Sequence, residues 1–318
     1  MALRLTFLGT GTSHGVPVIG CDCAVCSSDD PRNHRTRSSV LVEWEGRNLL
    51  VDTATELRLQ ARRAGLRRVD AILFTHAHAD HVCGLDDVRR FNALQRSSIP
   101  CYGNRGTIED LARQFWYAFA DTQAGGGKPS LELIPIGPDR PLSLFGLEIR
   151  PIPALHGQLE VLGYRFGGLA YVVDCSAIPE KSLALLEGLD VLVLDALRWR
   201  PHPTHLSVDQ ALGVVSRVRP QRTFLTHICH DLDHEETNRV LPSGVELAYD
   251  GLVVELPDAR PSDGREVVAS TRHPEVSVHV DQPAVCGAIS GSVPPGESAV
   301  TAGRWPALDL GGTADDGR

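Results

Sequence analysis

The 318-residue sequence has no long hydrophobic run: no stretch approaches the ~20 apolar residues that a membrane-spanning helix requires. Its first residues, MALRLTFLGTGTS, alternate like a strand and lack the apolar core of a secretion signal. No Walker-type glycine-rich loop accompanies the histidine-rich segment described below, which argues against nucleoside triphosphate chemistry. We therefore expect a cytoplasmic protein without a membrane partner.

Positive charge is also scarce. Lysine and arginine number 31 against 40 acidic residues, which gives a formal net charge of -9. This balance argues against a broad basic surface for nucleic acid and leaves only a local basic patch open. The sequence does not determine the oligomeric state, and a homodimer is one of the states considered.

Residues 1–256 alternate between strand-like and helical patterns. Ten apolar or alternating runs predict strands, and five segments with helical spacing predict helices. Strands are predicted at 3–9, 38–46, 48–53, 71–76, 147–155, 162–168, 169–175, 191–197, 222–227 and 245–250, and helices at 55–65, 85–96, 107–121, 179–188 and 207–218. Ser207 is expected to cap the last helix, and Pro179 suits the first turn of the one before it. The pattern predicts an α/β fold in which helices cover sheets.

Residues 257–318 differ in composition. They hold seven prolines, eight glycines and a single aromatic residue, Trp305, and no helix or strand period persists there. We expect one catalytic domain over residues 1–256, followed by a poorly ordered Pro/Gly-rich extension.

The most informative segment is THAHADH, in which His76, His78, Asp80 and His81 fall within six residues. Residues 76 and 78 project to the same side of an extended chain and can share one ion, and a turn into the next helix would swing Asp80 and His81 towards a second. His156, Asp174 and His227 each follow an apolar run, so they can converge on the same rim. Each of these three, taken alone, also fits a structural role.

These residues, together with FLGTGTS at 7–13, resemble the metallo-β-lactamase superfamily over about residues 1–256. The resemblance implies an αββα sandwich with a dinuclear metal site at the sheet edge. It implies His76, His78 and His156 as ligands of one ion, Asp80, His81 and His227 as ligands of the other, and Asp174 as the bridge. Such a mixed site accepts Mn or Zn, and Fe as well.

The resemblance also bears on the roles of Asp80, Asp52 and Cys175. Asp80 is both a ligand and a candidate base for the attacking water. Asp52 matches an aspartate that orients a ligand histidine, and a helix N-cap is the alternative role for it. Cys175 is adjacent to Asp174 rather than at its position, so we expect it to pack in the core.

A second cluster comprises Cys21, Cys23 and Cys26 in GCDCAVC. Three thiolates are one ligand short of a tetrahedral structural zinc, and His230 is the expected fourth, with His34 and His234 as weaker candidates. The alternative is three unliganded cysteines. With TH-x2-H late in the chain, this insertion resembles the phosphoribosyl cyclic phosphodiesterases of the carbon–phosphorus lyase pathway. That family hydrolyses a five-membered cyclic phosphate of ribose and uses manganese, which implies a small phosphodiester substrate here.

PHPTHLSVDQAL contributes a candidate general acid. In related phosphodiesterases and tRNA 3′-processing endonucleases, a histidine before a Ser or Thr at a helix start faces the scissile phosphate, and His205 matches that pattern. An imidazole placed there can protonate a leaving alkoxide. Asp195 is a candidate to orient it, His202 is the weaker candidate acid, and an ordinary surface histidine is the alternative. Ser13, His14 and residues 37–39 are weaker candidates for phosphate contacts.

Four functions are considered. The leading hypothesis is a metal-dependent phosphodiesterase acting on a small cyclic phosphate or nucleotide. A tRNA 3′-end endonuclease would carry a basic arm, and no Lys/Arg-rich insertion is found. A thioesterase of the glyoxalase II type would not need an acid such as His205. A non-catalytic metal-binding protein would have no use for seven groups around two ions.

Overall fold

The computed structural model describes residues 3–120 and 127–256. The predicted extension over 257–318 lies outside the described residues. Within the described ranges, no helix combines the length and apolar character needed to cross a membrane.

Fourteen strands and eight α-helices follow one another along the described chain. The first half holds β1 Leu3–Gly9, β2 Ser39–Trp44, β3 Arg47–Val51, α1 Leu57–Arg63, β4 Ala71–Leu73, α2 Ala79–Val82, α3 Arg89–Gln95, β5 Ile99–Gly103, α4 Arg105–Gln114, α5 Trp116–Phe119 and β6 Leu131–Pro135. The second half holds β7 Leu142–Leu144, β8 Leu147–His156, β9 Leu159–Phe166, β10 Leu169–Val172, α6 Glu180–Ala184, β11 Val191–Asp195, α7 Val208–Val218, β12 Arg222–Thr226, α8 His234–Val240, β13 Val245–Leu247 and β14 Val253–Leu256.

The strands form two mixed sheets of seven strands each. The order in the first is β14-β1-β2-β3-β4-β5-β6, and in the second β13-β12-β11-β10-β9-β8-β7. In each sheet the hairpin strands pair antiparallel, and the strands that alternate with helices pair parallel, because a crossover through a helix returns the chain in the same direction.

Alternation along the strands divides the buried side chains among three cores. Leu49 and Val51 of β3 lie in the core between the sheets, while Leu50 packs against the helices outside the first sheet. In the second sheet Tyr171 faces the central core and Val172 the outer one. Side chains of a strand point to opposite faces in turn, so three cores require four layers. The αββα sandwich expected from the resemblance is confirmed.

Strand β8 contains two prolines because most of its length lies at an edge of the second sheet. β7 pairs only with Leu147–Ile149, so the remainder of β8 has a described strand partner on one side alone, at β9. Pro151 and Pro153 fall in that remainder, where a missing N–H removes no ladder hydrogen bond. The strand therefore continues through both prolines and ends at His156.

Each predicted strand segment contains a strand, and Ser207 caps α7 in a capping box with Gln210, as expected. Pro179 immediately precedes α6 instead of lying within its first turn. The helix predicted over 107–121 is wrong in one respect, because it is broken at Phe115, whose φ of -110° and ψ of 34° separate α4 from α5. Strands β5, β6, β7 and β14 and helices α2 and α8 were not predicted.

Candidate metal centre

The candidate ligands lie where strands end. Strands β3 and β4 are parallel in one sheet, and β10, β11 and β12 are parallel in the other. Asp52 follows β3, Asp174 lies two residues beyond β10, His227 follows β12, and His156 is the last residue of β8. Since the carboxyl ends of parallel strands lie at the same edge, residues far apart in sequence meet along one rim.

Three of these residues adopt left-handed backbone conformations. The φ angle is 61° at Asp52, 54° at Asp174 and 60° at His227. Non-glycine residues rarely have positive φ, although Asp and His tolerate it better than most. Such conformations persist where the surrounding structure imposes them, and they cluster at functional sites. Here each one turns a polar side chain into the rim directly after a strand.

The first ligand group comprises His76, His78, His156 and Asp174, whose candidate ligand atoms lie within 4.8 Å of one another. His76 Nε2 is 3.1 Å from Asp174 Oδ2, and His156 Nδ1 is 3.1 Å from Asp174 Oδ1. His156 Nδ1 also donates to the carbonyl oxygen of Thr204 at 2.8 Å, which leaves its Nε2 as the electron-pair donor for an ion.

The second group comprises Asp80, His81, His227 and again Asp174. His81 Nε2 lies 3.1 Å from Asp174 Oδ2 and 3.4 Å from Asp80 Oδ2. His227 Nε2 lies 3.6 Å from Asp80 Oδ2 and 3.7 Å from Asp174 Oδ2. Asp174 is therefore the one carboxylate common to both groups.

The donor atoms fit divalent ions. Among the described residues, buried His76 Nε2, His81 Nε2, His227 Nε2 and Asp174 Oδ1 have no hydrogen-bond partner. Ligands 2.0–2.2 Å from a tetrahedral ion would be about 3.4 Å apart, and the separations given above run from 3.1 to 3.7 Å. Unpaired imidazole nitrogens beside carboxylates form a donor set suited to first-row divalent metals.

Asp52 orients one of the candidate ligands, His81. His81 Nδ1 donates to Asp52 Oδ2 at 2.8 Å, which fixes the tautomer that leaves Nε2 facing Asp174. The carboxylate also accepts from the backbone N–H and the hydroxyl of Thr75, each at 2.8 Å. Glu56, not Asp52, occupies the N-cap position of α1, so the alternative role considered for Asp52 is wrong.

His205 lies at the edge of the same cluster. Its Nδ1 is 3.0 Å from Asp174 Oδ1 and 3.8 Å from Asp195 Oδ1. Burial opposes protonation of the ring, but the two carboxylates outweigh it and raise the pKa of His205 to about 10. The ring of His202 lies 5.0 Å away, and its Nδ1 accepts from the Thr204 N–H at 3.3 Å.

The cysteine cluster is separate from these groups. His230 Nδ1 lies 3.2 Å from the sulfur of Cys21 and 3.5 Å from those of Cys23 and Cys26. A tetrahedral zinc with three sulfur ligands and one nitrogen would place each sulfur about 3.6 Å from that nitrogen, so the four residues fit such an ion. The two weaker candidates lie elsewhere: His34 Nε2 contacts Ser28 O at 2.8 Å and His234 Nδ1 contacts Arg35 at 3.3 Å.

Similarity to known proteins agrees with this geometry. A family model described as a β-lactamase superfamily domain matches residues 47–228. The chain belongs to the β-lactamase superfamily. Its fold is that of the metallo-β-lactamases. The superfamily typically binds divalent metals, and the His/Asp clusters of this chain fit a metal site.

Relatives within the superfamily differ in their described activities. An octanoyltransferase of Porphyromonas gingivalis is 34% identical over 253 residues, which are 79% of this chain and 51% of that protein. A ribonuclease Z of Bradyrhizobium sp. strain ORS 278 is 31% identical over 163 residues, which are 50% of this chain and 52% of that protein. The chain thus spans about half the length of each of these two relatives.

Among solved structures, a diphosphatase from the PhnP family is 46% identical, with a TM-score of 0.76 over 80% of this chain and 98% of that one. The Zn²⁺-bound PqqB of Methylobacterium extorquens has a TM-score of 0.66 over 80% of this chain and all of its own, at 20% identity. The second similarity establishes the fold alone.

The charge balance of this superfamily member depends on its histidines. Burial favours a neutral Asp80, but His81 and His227 outweigh it and hold the pKa of that carboxyl far below its usual range. The pKa of Asp174 is likewise held well below its ordinary value, against burial, by His227, His205, His76 and His81. Both carboxylates are therefore ionised, and either imidazolium protons or metal cations must balance them.

A cleft of about 890 Å³ opens beside His76 and His78 and is bounded by the start of α4. Asn104, Arg105 and Gln114 line it, and the sequence reasoning did not identify them. Asn104 caps α4 through the Thr107 N–H, so the asparagine that precedes a helical pattern was the available signal.

Of the weaker candidates for phosphate contacts, Ser13 and His14 are exposed, and residues 37–39 make contacts within the fold. Ser38 and Ser39 are buried and donate to the carbonyl oxygens of Gly11 and Asp52, and Arg37 pairs with Glu56. Cys175 is buried in the outer core of the second sheet, so its predicted packing role is confirmed.

Proposed function

We propose that this hydrolase cleaves a P–O bond of a small phosphodiester, such as a cyclic phosphate of ribose or a 2′,3′-cyclic nucleotide. The observation that carries the proposal is Asp174, a single buried carboxylate common to two groups of candidate ligands. Among them, the Nε2 atoms of His76, His81 and His227 have no hydrogen-bond partner in the described residues. Two ions that share one carboxylate stand close enough to clamp both the attacking and the leaving oxygen of an in-line displacement.

The ligand roles follow from the two groups. His76, His78 and His156 would hold one ion, Asp80, His81 and His227 the other, and Asp174 would bridge them. Manganese and zinc, and iron as well, suit this mixture of imidazole and carboxylate. When bound, these ions supply Lewis-acid activation of water and stabilise negative charge on the phosphate oxygens.

The protein's own groups would move the protons. Asp80, an ionised carboxylate of the second ligand group, would accept a proton from the attacking water. His205, held protonated by neighbouring carboxylates, would donate a proton to the leaving alkoxide. Asp52 would keep His81 in the tautomer that binds metal through Nε2.

A third ion, structural zinc, would be held by Cys21, Cys23, Cys26 and His230. Hydrogen bonding from the Cys26 N–H lowers the pKa of Cys23 to about 6, so this sulfur reaches its metal-binding thiolate form near neutral pH. His230 lies three residues after His227. The zinc would therefore anchor the turn that leaves the catalytic rim.

A diphosphate is the second candidate substrate, because the 46% identical structure is that of a diphosphatase. A phosphoanhydride is also cleaved by in-line attack at phosphorus, so the same centre could serve both substrates. The diphosphate and the phosphodiester differ in their leaving groups. A phosphate leaves readily without protonation, whereas a sugar alkoxide needs an acid such as His205.

The test is a substrate panel with the purified full chain loaded with Mn²⁺ or Zn²⁺. It contains bis(p-nitrophenyl) phosphate, 2′,3′-cyclic nucleotides, a dinucleoside diphosphate, a tRNA precursor and S-lactoylglutathione. We expect hydrolysis of the phosphodiesters that disappears in Asp174→Ala. Turnover of the diphosphate alone would transfer the assignment to the second candidate, and turnover of the thioester alone would refute both.

A further inference from the structure

Asp195 lies between the two strands that deliver Asp174 and His227. It is the last residue of β11, which runs parallel to β10 on one side and β12 on the other. Its partner in register is Thr226, the residue before His227. The carboxylate is fully buried, and burying an ionised group without full pairing is costly.

Only one of the two carboxylate oxygens of Asp195 accepts a hydrogen bond from the described residues. Asp195 Oδ2 accepts the backbone N–H of Leu206 at 2.9 Å. Asp195 Oδ1 has no hydrogen-bond partner among the described residues, and the same holds for His205 Nδ1 and His227 Nδ1. Oδ1 lies 3.8 Å from the first of these nitrogens and 3.7 Å from the second. Three unpaired buried polar atoms thus converge, each a few tenths of an ångström beyond hydrogen-bond distance.

We propose that Asp195 is a shared positioning residue, whose Oδ1 accepts the Nδ1–H of both His205 and His227. A carboxylate oxygen has two lone pairs and can take both donors. The inference rests on the proposed function, in which Asp174 is a bridging ligand. If Asp174 gives its oxygens to ions, Asp195 is the acceptor that remains for His205.

The consequence is a coupling between metal binding and proton donation. With Nδ1 protonated and held, His227 would bind an ion through its unprotonated Nε2. His205 would carry a second proton on Nε2 and present it to the leaving group. The partners that orient metal-ligating histidines are typically worth 10–100-fold in metal affinity or activity. One carboxylate would therefore control both a ligand and the acid.

Asp195→Asn separates this role from a purely structural one. The amide is isosteric and its oxygen can still accept the Leu206 N–H, but the other position becomes an NH2 donor that cannot accept from either imidazole. Asp190→Asn is the matched control, because Asp190 lies just before β11, at the opposite end of the strand, and accepts from Gln221 at 2.7 Å.

The readout is metal affinity, measured by competition with a chromogenic chelator, which does not depend on any substrate. We expect Asp195→Asn to bind one active-site ion, the one whose proposed ligands include His227, 10–100-fold less tightly than the wild type. Asp190→Asn should match the wild type. Wild-type affinity in Asp195→Asn would overturn the proposal, whatever the substrate panel shows.

A second measurement uses the wild-type protein and is independent of how the variant folds. Two-bond ¹H–¹⁵N spectra of the zinc-loaded chain report which ring nitrogens of each histidine carry a proton. Protons on Nδ1 of His205 and His227 are expected. A bare Nδ1 on either ring would refute the shared role.

Discussion

Replacing His205 with alanine should slow chemistry according to the leaving group. The ring is not among the seven proposed metal ligands, and its Nδ1 faces two carboxylates, so its removal takes away a proton donor and leaves the ligand set complete. For a cyclic nucleotide, whose sugar alkoxide must be protonated, kcat should fall by about 10²–10⁴-fold. That corresponds to roughly 3–5 kcal/mol in the activation free energy.

For bis(p-nitrophenyl) phosphate the loss should be far smaller, because p-nitrophenolate leaves without protonation. The assay compares kcat for both substrates in the wild type and in His205→Ala, with metal content measured on the same samples. His202→Ala is the matched control, since His202 lies three residues earlier on the same loop and its Nδ1 accepts from the Thr204 N–H. We expect that variant to retain the wild-type ratio of the two rates.

Two outcomes would refute the reasoning. An equal drop on both substrates would mean that His205 positions the phosphate instead of protonating the leaving group. No drop on either, with metal content intact, would remove His205 from the mechanism, and the His202→Ala rates would then show whether that ring is the acid.

Three further predictions concern metal, chain length and pH. Cys23→Ser should release one tightly bound zinc and lower the melting temperature. Asp174→Ala should instead abolish turnover and keep that zinc. Equal loss of all metal from both variants would contradict two separate sites. A 1–256 chain should keep activity and most thermal stability, because β14 ends at Leu256, paired with Leu3; insoluble truncated protein would count against this. Burial and two nearby arginines lower the pKa of His234 from 6.5 to about 4, so its stabilising effect is full above pH 6.5 and is lost as pH falls through about 4. Urea unfolding at several pH values should therefore show that the free energy of unfolding of His234→Gln falls less steeply than that of the wild type between pH 6.5 and about 4. An unchanged dependence on pH would refute the assignment.

The sequence predicted the fold best where strands are buried on both faces. Runs such as VLVLD and LAYVV are continuously apolar because both faces of their strands are covered, and both were predicted. β5, with Pro100 inside it, and β6, with Pro135 at its end, carry a residue that argues against strand. Helix α8, HEETNRV, has no apolar stripe and is fixed by polar contacts such as the Asp233 cap.

The candidate site was predictable as a set of residues but not as a geometry. THAHADH identifies four of them because the group is local, and His156, Asp174 and His227 are recognisable only as polar residues ending apolar runs. That Asp195 lies close to both His205 and His227 depends on the order of β10, β11 and β12, which no local pattern contains. The cleft beside α4 was not predicted for the same reason, since its walls come from four separate segments between residues 76 and 160.

Asp174 lies next to candidate ligands that come from both sheets. His76 and His81 follow β4 of the first sheet, whereas Asp174 and His227 extend from strands of the second. Each of the two proposed active-site ions would therefore be bound by residues from both sheets. Any ligand bound only by the folded state raises the free energy of unfolding, by about 2.7 kcal/mol at 100 times its dissociation constant. Since a change of 1–2 kcal/mol alters the cellular level of many proteins several-fold, metal scarcity would reduce the amount of this enzyme as well as its turnover.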